Sequence, residues 1–311
     1  PDLTLTGRTT RGLLQFRTLD IQSALNTKVV GSYSASLHLS LANATELPDS
    51  FNIHALPVSS SWETGFGQRV DNPINTSGVT WKHKDVLTTQ WTVLGGDYLA
   101  SPAARQSFDS TSDYDIDINV TPAITGFYSG SLANNGFVLK IDDSYEDYVS
   151  SSIKLSYFGS DTHTIFPPYL EMQWNDTVYS STLTELSTDI ATVKIKNHKP
   201  EYVDSDKSRF RISARPKYPT RTFSTGSIYL TNYKLPEASY WAIQDYHSQE
   251  MIIDFNTTFT KISADNSSSY FDVYMDTLQP ERHYKLLIKT TLDGSDVVID
   301  NNNVFKVVKN G

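Results

Sequence analysis

Few residues of this chain are spaced as catalytic chemistry requires. Asp161 and His163 stand two residues apart in FGSDTHTIFPPYLEMQWND, which is the spacing of neighbours on one face of a strand. A catalytic pair also needs a nucleophile and a third group that orients the base, and the surrounding residues supply neither. We therefore interpret Asp161 and His163 as residues that fix a loop by hydrogen bonding, ahead of a strand that begins at Tyr169.

Acidic residues alternate with apolar ones in the segment DYDIDINV. This period of two places Asp113, Asp115 and Asp117 on one strand face, shortly after Asp109, where Ca²⁺ could bind several carboxylate oxygens. The glycine and terminal glutamate of an EF-hand loop are absent, so a solvated acidic strand face is the favoured interpretation and calcium the alternative. The segment IDDSYEDY poses the same choice, and we interpret it as an acidic hairpin loop.

Three tryptophans, Trp62, Trp81 and Trp91, lie close together in the sequence. Such rings can form the sugar-stacking platform of a carbohydrate-binding module, or they can fill a β-sandwich core and anchor loops. The core or anchoring role is favoured, and a platform for a surface glycan is the alternative. A glycosidase needs two acids across a cleft, and Glu63 beside this aromatic group has no evident partner.

No enzyme motif emerges elsewhere in the chain. A GxSxG elbow, an HExxH helix and a glycine-rich phosphate loop are all missing from the sequence. The absence of cysteine removes disulfides, thiolate zinc sites and thiol nucleophiles. We predict a non-enzymatic protein with no catalytic residue, no metal and no cofactor.

Composition narrows the range of partners. The formal net charge of −9 and the pI of about 5.2 argue against nucleic acid and anionic membranes, because both require a basic face. No apolar run approaches the roughly 20 residues that span a bilayer, so membrane insertion is not expected.

The elements that must position these residues are strands. Short alternating or apolar runs, separated by Gly, Pro, Asn, Asp and Ser, recur along the chain and predict an all-β protein. The runs predicted as strands include YSASLHLSLA, FNIHALPV, GVTWKH, GFVLKI, SRFRISAR and YKLLIKTT. We expect an N-terminal β-sandwich or jelly roll over residues 1–178 and a C-terminal immunoglobulin-like β-sandwich over 179–311. The boundary falls in the polar, unpatterned segment NDTVYSSTLTEL. Tyr284, which follows a turn with Pro280, resembles the tyrosine corner of immunoglobulin-like domains.

Two segments are better suited to short helical turns, residues 20–27 and residues 121–130. In the second, Thr121 stands directly before Pro122, a pairing typical of an N-cap followed by the first helical position.

Basic and aromatic residues crowd one segment of the second domain, and arginine and tyrosine are enriched at binding hot spots. We predict a docking surface there, the alternative being an ordinary solvated strand face. Its residues are Arg209, Arg211, Arg215, Tyr218 and Arg221.

Several segments resemble known phage and extracellular proteins. RTTRGLLQFRTLDI, NATELPDSFNIHALPVSSSWETGFG, YDIDINVTPAITGFYSGSLANNGFVLKI and LSYFGSDTHTIFPPYLEMQWND resemble the DNRLRE-type, carbohydrate-binding-module-like jelly roll. KNHKPEYVDSDKSRFRISARPKYPTRTF and YFDVYMDTLQPERHYKLLIK resemble the second half of structural proteins from contractile-tailed, T4-like marine (cyanophage-type) bacteriophages. One departure is Phe16-Arg17-Thr18, where the family has an acidic phrase.

The resemblance implies a function as well as a fold. It implies a virion structural protein of the tail, neck or baseplate, located in the extracellular phage particle and docked to other virion proteins in a symmetric, multi-copy assembly. A host-surface adhesin or carbohydrate-binding module is the alternative function, with the three tryptophans as its ligand platform.

Overall fold

The computed structural model describes residues 3–6, 10–26, 28, 32–65, 77–85, 88–146, 153–219 and 231–310. Strands dominate these residues, and the prediction of an all-β protein is confirmed. The chain divides into two compact units, Pro1–Gln173 and Trp174–Gly311. No helix among the described residues has the length and apolarity needed to cross a membrane.

In its described residues, the first unit contains ten strands in three sheets, ordered β1-β9-β4, β10-β3-β7 and β2-β8-β5-β6. The last residue of β10, Trp174, begins the second unit. The strands are β1 (Leu3–Thr6), β2 (Gly12–Leu14), β3 (Tyr33–Leu39), β4 (Leu41–Thr45), β5 (Ser50–Pro57), β6 (Ala104–Asp109), β7 (Ile116–Asn119), β8 (Phe137–Ile141), β9 (Lys154–Tyr157) and β10 (Tyr169–Trp174).

Three short helices also lie in the described part of the first unit: α1 (Thr18–Leu25), α2 (Thr121–Ser129) and α3 (Asp143–Glu146). The first two lie where the sequence predicts helical turns. The expected cap differs, because the Thr121 hydroxyl accepts a hydrogen bond from Ala35 N at 2.8 Å and caps no helical N–H. The predicted acidic hairpin loop at IDDSYEDY is wrong over Asp143–Glu146, which form the single turn of α3 and bury the Glu146 side chain.

Burial in the first unit follows two patterns. Strand β3 buries every second side chain from Tyr33 to Leu39, as a strand with one face on the core must. Strand β8 buries all five of its residues. The reason is an apolar cluster of Leu56, Val58, Trp91 and Val138, which covers the second face of this sheet.

The strands described in the second unit form two sheets, ordered β11-β13-β17-β16 and β12-β19-β18-β14-β15. Neighbouring strands in these two sheets are antiparallel, except that β12 pairs with β19 in parallel. The strands are β11 (Ala191–Lys196), β12 (Glu201–Val203), β13 (Lys207–Pro216), β14 (Ser239–Asp245), β15 (Met251–Ile253), β16 (Ser263–Ala264), β17 (Ser269–Tyr274), β18 (His283–Leu292) and β19 (Ser295–Val308).

Aromatic rings from the two sheets meet in the core of the second unit. Trp241 of β14 stacks on Phe271 of β17 with ring centroids 5.3 Å apart, and Phe210 of β13 lies 6.2 Å from Phe305 of β19. The arrangement is a β-sandwich, whose two inner faces share one apolar core.

Tyr284 occupies the position that the sequence suggests for a tyrosine corner. Its ring is buried at the start of β18, and its hydroxyl donates a hydrogen bond to the carbonyl of Gln279 at 2.9 Å. This bond fixes the turn that contains Pro280 against the strand, as a tyrosine corner does.

The polar segment chosen as the domain boundary is ordered within the second unit. Tyr179 pairs with Ala264 as a parallel bridge, and Ser180 N donates to Ala264 O at 3.0 Å. The compact units divide at Gln173, slightly before the predicted boundary at residue 178. Hydrogen bonds to the edge strand β16 hold this segment, which lacks the apolar pattern of a strand.

Candidate docking surface

The outer face of the sheet β11-β13-β17-β16 is basic. Strand alternation and register put two lysines of β11 and four cations of β13 on the side opposite the core. We call this surface the basic face and define it by Lys194, Lys196, Lys207, Arg209, Arg211 and Arg215.

Arg209 is held rigidly in the centre of the basic face. Its Nε and Nη2 donate to the two oxygens of Asp272, the directly paired residue of β17, at 2.7 and 3.0 Å. Its guanidinium also lies 4.2 Å from the ring centroid of Tyr270, within range of a cation–π contact. The Arg209 side chain is still 47% exposed. A guanidinium has five N–H donors, so the pair with Asp272 leaves donors for a partner.

Ion pairing sets the pKa values around Asp272. Burial acts to raise the pKa of Asp272, but hydrogen bonds from Arg209 and Lys207 outweigh it and hold the pKa below its usual range. The hydrogen bond to Asp272 raises the pKa of Arg209 further. Both groups are therefore charged at neutral pH.

Arg211 makes a second bidentate pair on the same face. Its Nη1 and Nη2 lie 3.1 and 2.9 Å from the carboxylate oxygens of Asp265, and Nη1 also donates to Ser268 Oγ. The hydrogen bond from Arg211 lowers the pKa of Asp265 to about 2. These contacts anchor the loop between β16 and β17 to β13.

Three residues of the predicted docking surface remain, and two of them lie at the end of the basic face. Arg215 donates to the carbonyl of Pro216 at 3.2 Å, and Tyr218 extends into solvent with 74% of its surface exposed. Arg221 lies outside the described residues. The structure thus brings Arg209, Arg211 and Arg215 onto one strand face, with Tyr218 just beyond it.

Sequence reasoning did not identify the lysines of the basic face. Lys194 and Lys196 lie opposite Ser213 and Arg211 in the register of β11 with β13, and Lys207 lies 3.2 Å from Asp272. The alternation in ATVKIK gives their common face, but only strand pairing shows that this face adjoins the arginines.

The acidic residues proposed as a calcium site do not converge in the structure. Asp115 Oδ1 accepts a hydrogen bond from Leu41 N at 2.6 Å, and Asp117 Oδ1 lies 3.6 Å from His38 Nε2. Asp113 accepts a bond from the backbone of Asp115 at 3.3 Å. Over the described ranges, no three His, Asp or Glu residues are grouped as metal ligands. Asp117 lies on β7, whereas Asp113 and Asp115 lie in the turn before it, so the predicted common strand face is wrong for these two, although all three side chains are exposed.

The three tryptophans do not form one exposed platform. Trp91 is only 5% exposed, and its Nε1 donates to the carbonyl of Thr80 at 3.0 Å. Trp62 packs on the same apolar cluster and donates to Asn135 O at 2.7 Å. The structure places both in the anchoring role that the sequence favours.

Trp81 is covered from one side by Arg11, whose guanidinium lies 4.9 Å from the ring centroid. A Cβ added at Gly95 would lie 2.6 Å from this ring, and the φ of +86° at Gly95 also favours glycine. The strand predicted over GVTWKH is wrong, since residues 77–85 form loop structure around this contact.

A buried ion cluster lies beneath these aromatic rings. Arg11 donates from Nε and Nη2 to the two oxygens of Glu146, both at 2.6 Å, and Lys140 Nζ lies 3.2 Å from the same carboxylate. Lys140 also pairs with Asp143. The one sequence signal was a lysine inside the apolar run FVLKI, which is rare in a buried strand unless the charge is paired.

The loop that contains Asp161 and His163 is held by other side chains. Thr162 N donates to Gly159 O at 3.1 Å, and the hydroxyls of Thr162 and Thr164 lie 2.9 Å apart. Asp161 and His163 are both exposed. Threonine hydroxyls therefore take the role that we predicted for Asp161 and His163, because they bond to backbone N–H groups two residues ahead.

Comparison with known proteins gives no relative. No protein-family model, no curated protein and no solved structure matches this chain.

Proposed function

We propose that this chain is a non-enzymatic structural protein that acts by protein–protein docking, with the basic face as a docking surface. The observation that carries the proposal is the pairing of Arg209 and Arg211 with Asp272 and Asp265. These pairs fix the guanidinium groups in place while leaving part of each exposed. The surface is therefore preorganised, and binding a partner costs little side-chain entropy of Arg209 and Arg211.

The location that we propose is the tail, neck or baseplate of a phage virion. Support for this part comes from the sequence resemblance, chiefly DTHTIFPPYLE and the segment from Lys199 to Phe223. Within this proposal, the partners are other virion proteins in a multi-copy, symmetric assembly.

We also infer that the second unit is an immunoglobulin-like sandwich. If β11 to β19 are lettered A, A′, B, C, C′, D, E, F and G, the two sheets read A-B-E-D and A′-G-F-C-C′. These orders correspond to the immunoglobulin arrangement, with Trp241 on strand C and Tyr284 at the start of strand F. The jelly-roll topology of the first unit remains a prediction.

The alternative function, as a carbohydrate-binding adhesin, has less structural support. Stacking on a sugar needs an exposed ring face, and Trp91 is buried. The indole N–H groups of Trp62 and Trp91 already donate to backbone carbonyls. These contacts favour a packing role for the tryptophans.

The proposal can be tested on purified phage particles that carry this gene. Immunogold electron microscopy should label the tail, neck or baseplate, and a chain missing from washed particles would overturn the virion location. A glycan array tests the alternative function as a carbohydrate-binding adhesin. Binding that appears with the wild type and disappears in Trp62→Ala would overturn the proposal in favour of the adhesin.

The docking role needs its own variant. Lys194→Glu/Lys196→Glu reverses two exposed charges of the basic face. It should reduce incorporation into particles in competition with wild type, whereas Lys289→Glu/Lys309→Glu, the same charge change elsewhere in the second unit, should not. Equal incorporation of both variants would contradict the assignment of the basic face.

A further inference from the structure

The two units carry very different charges. The first unit, residues 1–173, has 18 Asp and Glu against 10 Lys and Arg, so its formal net charge is −8. The second unit, residues 174–311, has 17 against 16 and a net charge of −1, which together give the −9 of the chain. The basic face therefore lies on a nearly neutral unit of a strongly acidic chain.

The cations of the basic face exceed the acids that contact them. Asp265 and Asp272 neutralise part of the charge of Lys207, Arg209 and Arg211. Lys194 and Lys196 are exposed on β11, and neither forms an ion pair with any described residue. A surface with this excess of positive charge attracts a partner with a complementary acidic patch.

An acidic patch of this kind exists on the first unit. It comprises Asp109, Asp113, Asp115 and Asp117, at the end of β6, the start of β7 and the turn between them, and we call it the acidic corner. All four residues are exposed, and none pairs with a Lys or Arg in the described part of the chain. Their local hydrogen bonds hold the turn, and outward carboxylate oxygens remain for a partner.

We propose that the basic face binds the acidic corner of a second copy of this chain. The inference rests on the proposed docking function and identifies one partner for it. Charge complementarity selects this occupant, because the same molecule supplies an uncompensated cationic sheet face and an uncompensated anionic turn. Bidentate and monodentate Arg and Lys contacts to carboxylates would form the contact.

Such a contact is heterologous, since it joins different surfaces of two identical chains. Repeated contacts of this type produce a closed ring when the rotation closes and a filament when it does not. Strand β13 has ten residues and extends about 33 Å, which limits the length of one contact. Because the contact is made between exposed charges, its strength depends strongly on salt. Assembly should therefore be clearest at low ionic strength.

Sedimentation velocity and light scattering of the purified full chain test the proposal. At about 50 mM salt, the average mass of the wild type should rise above 34.9 kDa with increasing concentration, and about 0.5 M salt should reverse this. Lys194→Glu/Lys196→Glu and Asp113→Lys/Asp117→Lys should each weaken self-association by about tenfold or more. Circular dichroism and melting temperature establish that the variants are folded.

A mixing experiment separates this geometry from a general charge effect. The two charge-reversed variants each keep one intact surface, so their mixture should form a 1:1 complex that does not grow further. The chain with all four substitutions should stay dissociated, because the basic face keeps Lys207, Arg209, Arg211 and Arg215 and the acidic corner keeps Asp109 and Asp115, so neither surface exchanges its sign. The control Lys289→Glu/Lys309→Glu should associate like the wild type.

Several results would overturn the proposal. A folded wild type that stays monomeric at low salt up to about 100 μM would do so, as would two folded variants that form no mixed complex. A control variant that dissociates as far as the basic-face variant would also overturn it. Each of these outcomes is distinct from the chain being absent from virions, which contradicts only the proposed virion function.

Discussion

Arg11 in the first unit and Arg209 in the second make the same interaction in opposite surroundings. Each guanidinium binds one carboxylate through Nε and Nη2, and each lies near a tyrosine ring. The side chains of Arg11 and Glu146 are 10% and 6% exposed, whereas Arg209 is 47% exposed above a buried Asp272. The difference lies in how much water reaches the cation.

This difference separates a buried structural ion pair from an ion pair on the proposed docking surface. In the first unit, removing one partner leaves a charge where water cannot solvate it, so the pair holds the loop around Gly95 and helix α3 to the sheet. In the second unit, water compensates a lost partner, and the pair contributes little to stability. Its effect is to orient donors toward solvent.

The largest predicted effect follows from breaking the buried pair. Glu146→Gln should lower the free energy of unfolding by about 3–5 kcal/mol, because Arg11 and Lys140 lose their shared buried carboxylate. Urea unfolding followed by tryptophan fluorescence measures this loss. The double variant Arg11→Met/Glu146→Leu should lose less than Glu146→Gln alone, and the reverse order would contradict the buried-charge explanation.

A buried neutral hydrogen bond should have an intermediate effect. Tyr284→Phe removes the donor to Gln279 O and should lower the free energy of unfolding by about 1–2 kcal/mol, because the carbonyl loses its partner. The same urea experiment applies. Tyr246→Phe, at an exposed ring, is the matched control and should change nothing measurable. Equal losses of stability in both variants would argue against a stabilising hydrogen bond from Tyr284 to Gln279.

Breaking the ion pair of Arg209 with Asp272 should have a smaller effect on stability. Asp272→Asn should lower the free energy of unfolding by about 1 kcal/mol or less, because water solvates Arg209 and Lys207 once the carboxylate is gone. Urea unfolding at low and at about 0.5 M salt measures both the loss and its screening. A loss as large as that of Glu146→Gln would remove the proposed contrast between the two pairs.

The smallest effect should appear only as a function of pH. The pKa of Asp265 is depressed to about 2, so its carboxylate stabilises the fold above the ordinary pKa of about 3.9 and loses this contribution as pH falls toward 2. The stability difference between wild type and Asp265→Asn should be constant from pH 7 to about 5. This stability difference should decrease between about pH 4 and 2. A gap that persists at pH 2 would contradict the pairing with Arg211.

Local sequence patterns predicted much of the fold. The alternating runs at β3, β5, β8, β13 and β18 were recognised because each strand has one face, or both, against apolar neighbours. The failures lie where a pattern is weak or misleading. GVTWKH alternates like a strand, yet its tryptophan packs on Gly95 and Arg11, and β6 is too polar to be recognised.

The candidate surface was only partly predictable. Arg209, Arg211 and Arg215 stand at alternate positions, so their common face follows from the period of a strand. Lys194 and Lys196 join them through the pairing of β11 with β13, a contact between distant segments. The carboxylates that orient the arginines come from still later in the chain, and no local pattern links them.

The sequence by itself determined the all-β class of the protein, because alternation and turn residues act through short-range backbone geometry. It also determined which faces of single strands are charged. Tertiary structure alone decided which charges meet, how far each is buried and therefore what each does. Glu146 and Asp272 are both acidic side chains, and only packing makes one an internal counter-ion and the other a part of the proposed docking surface.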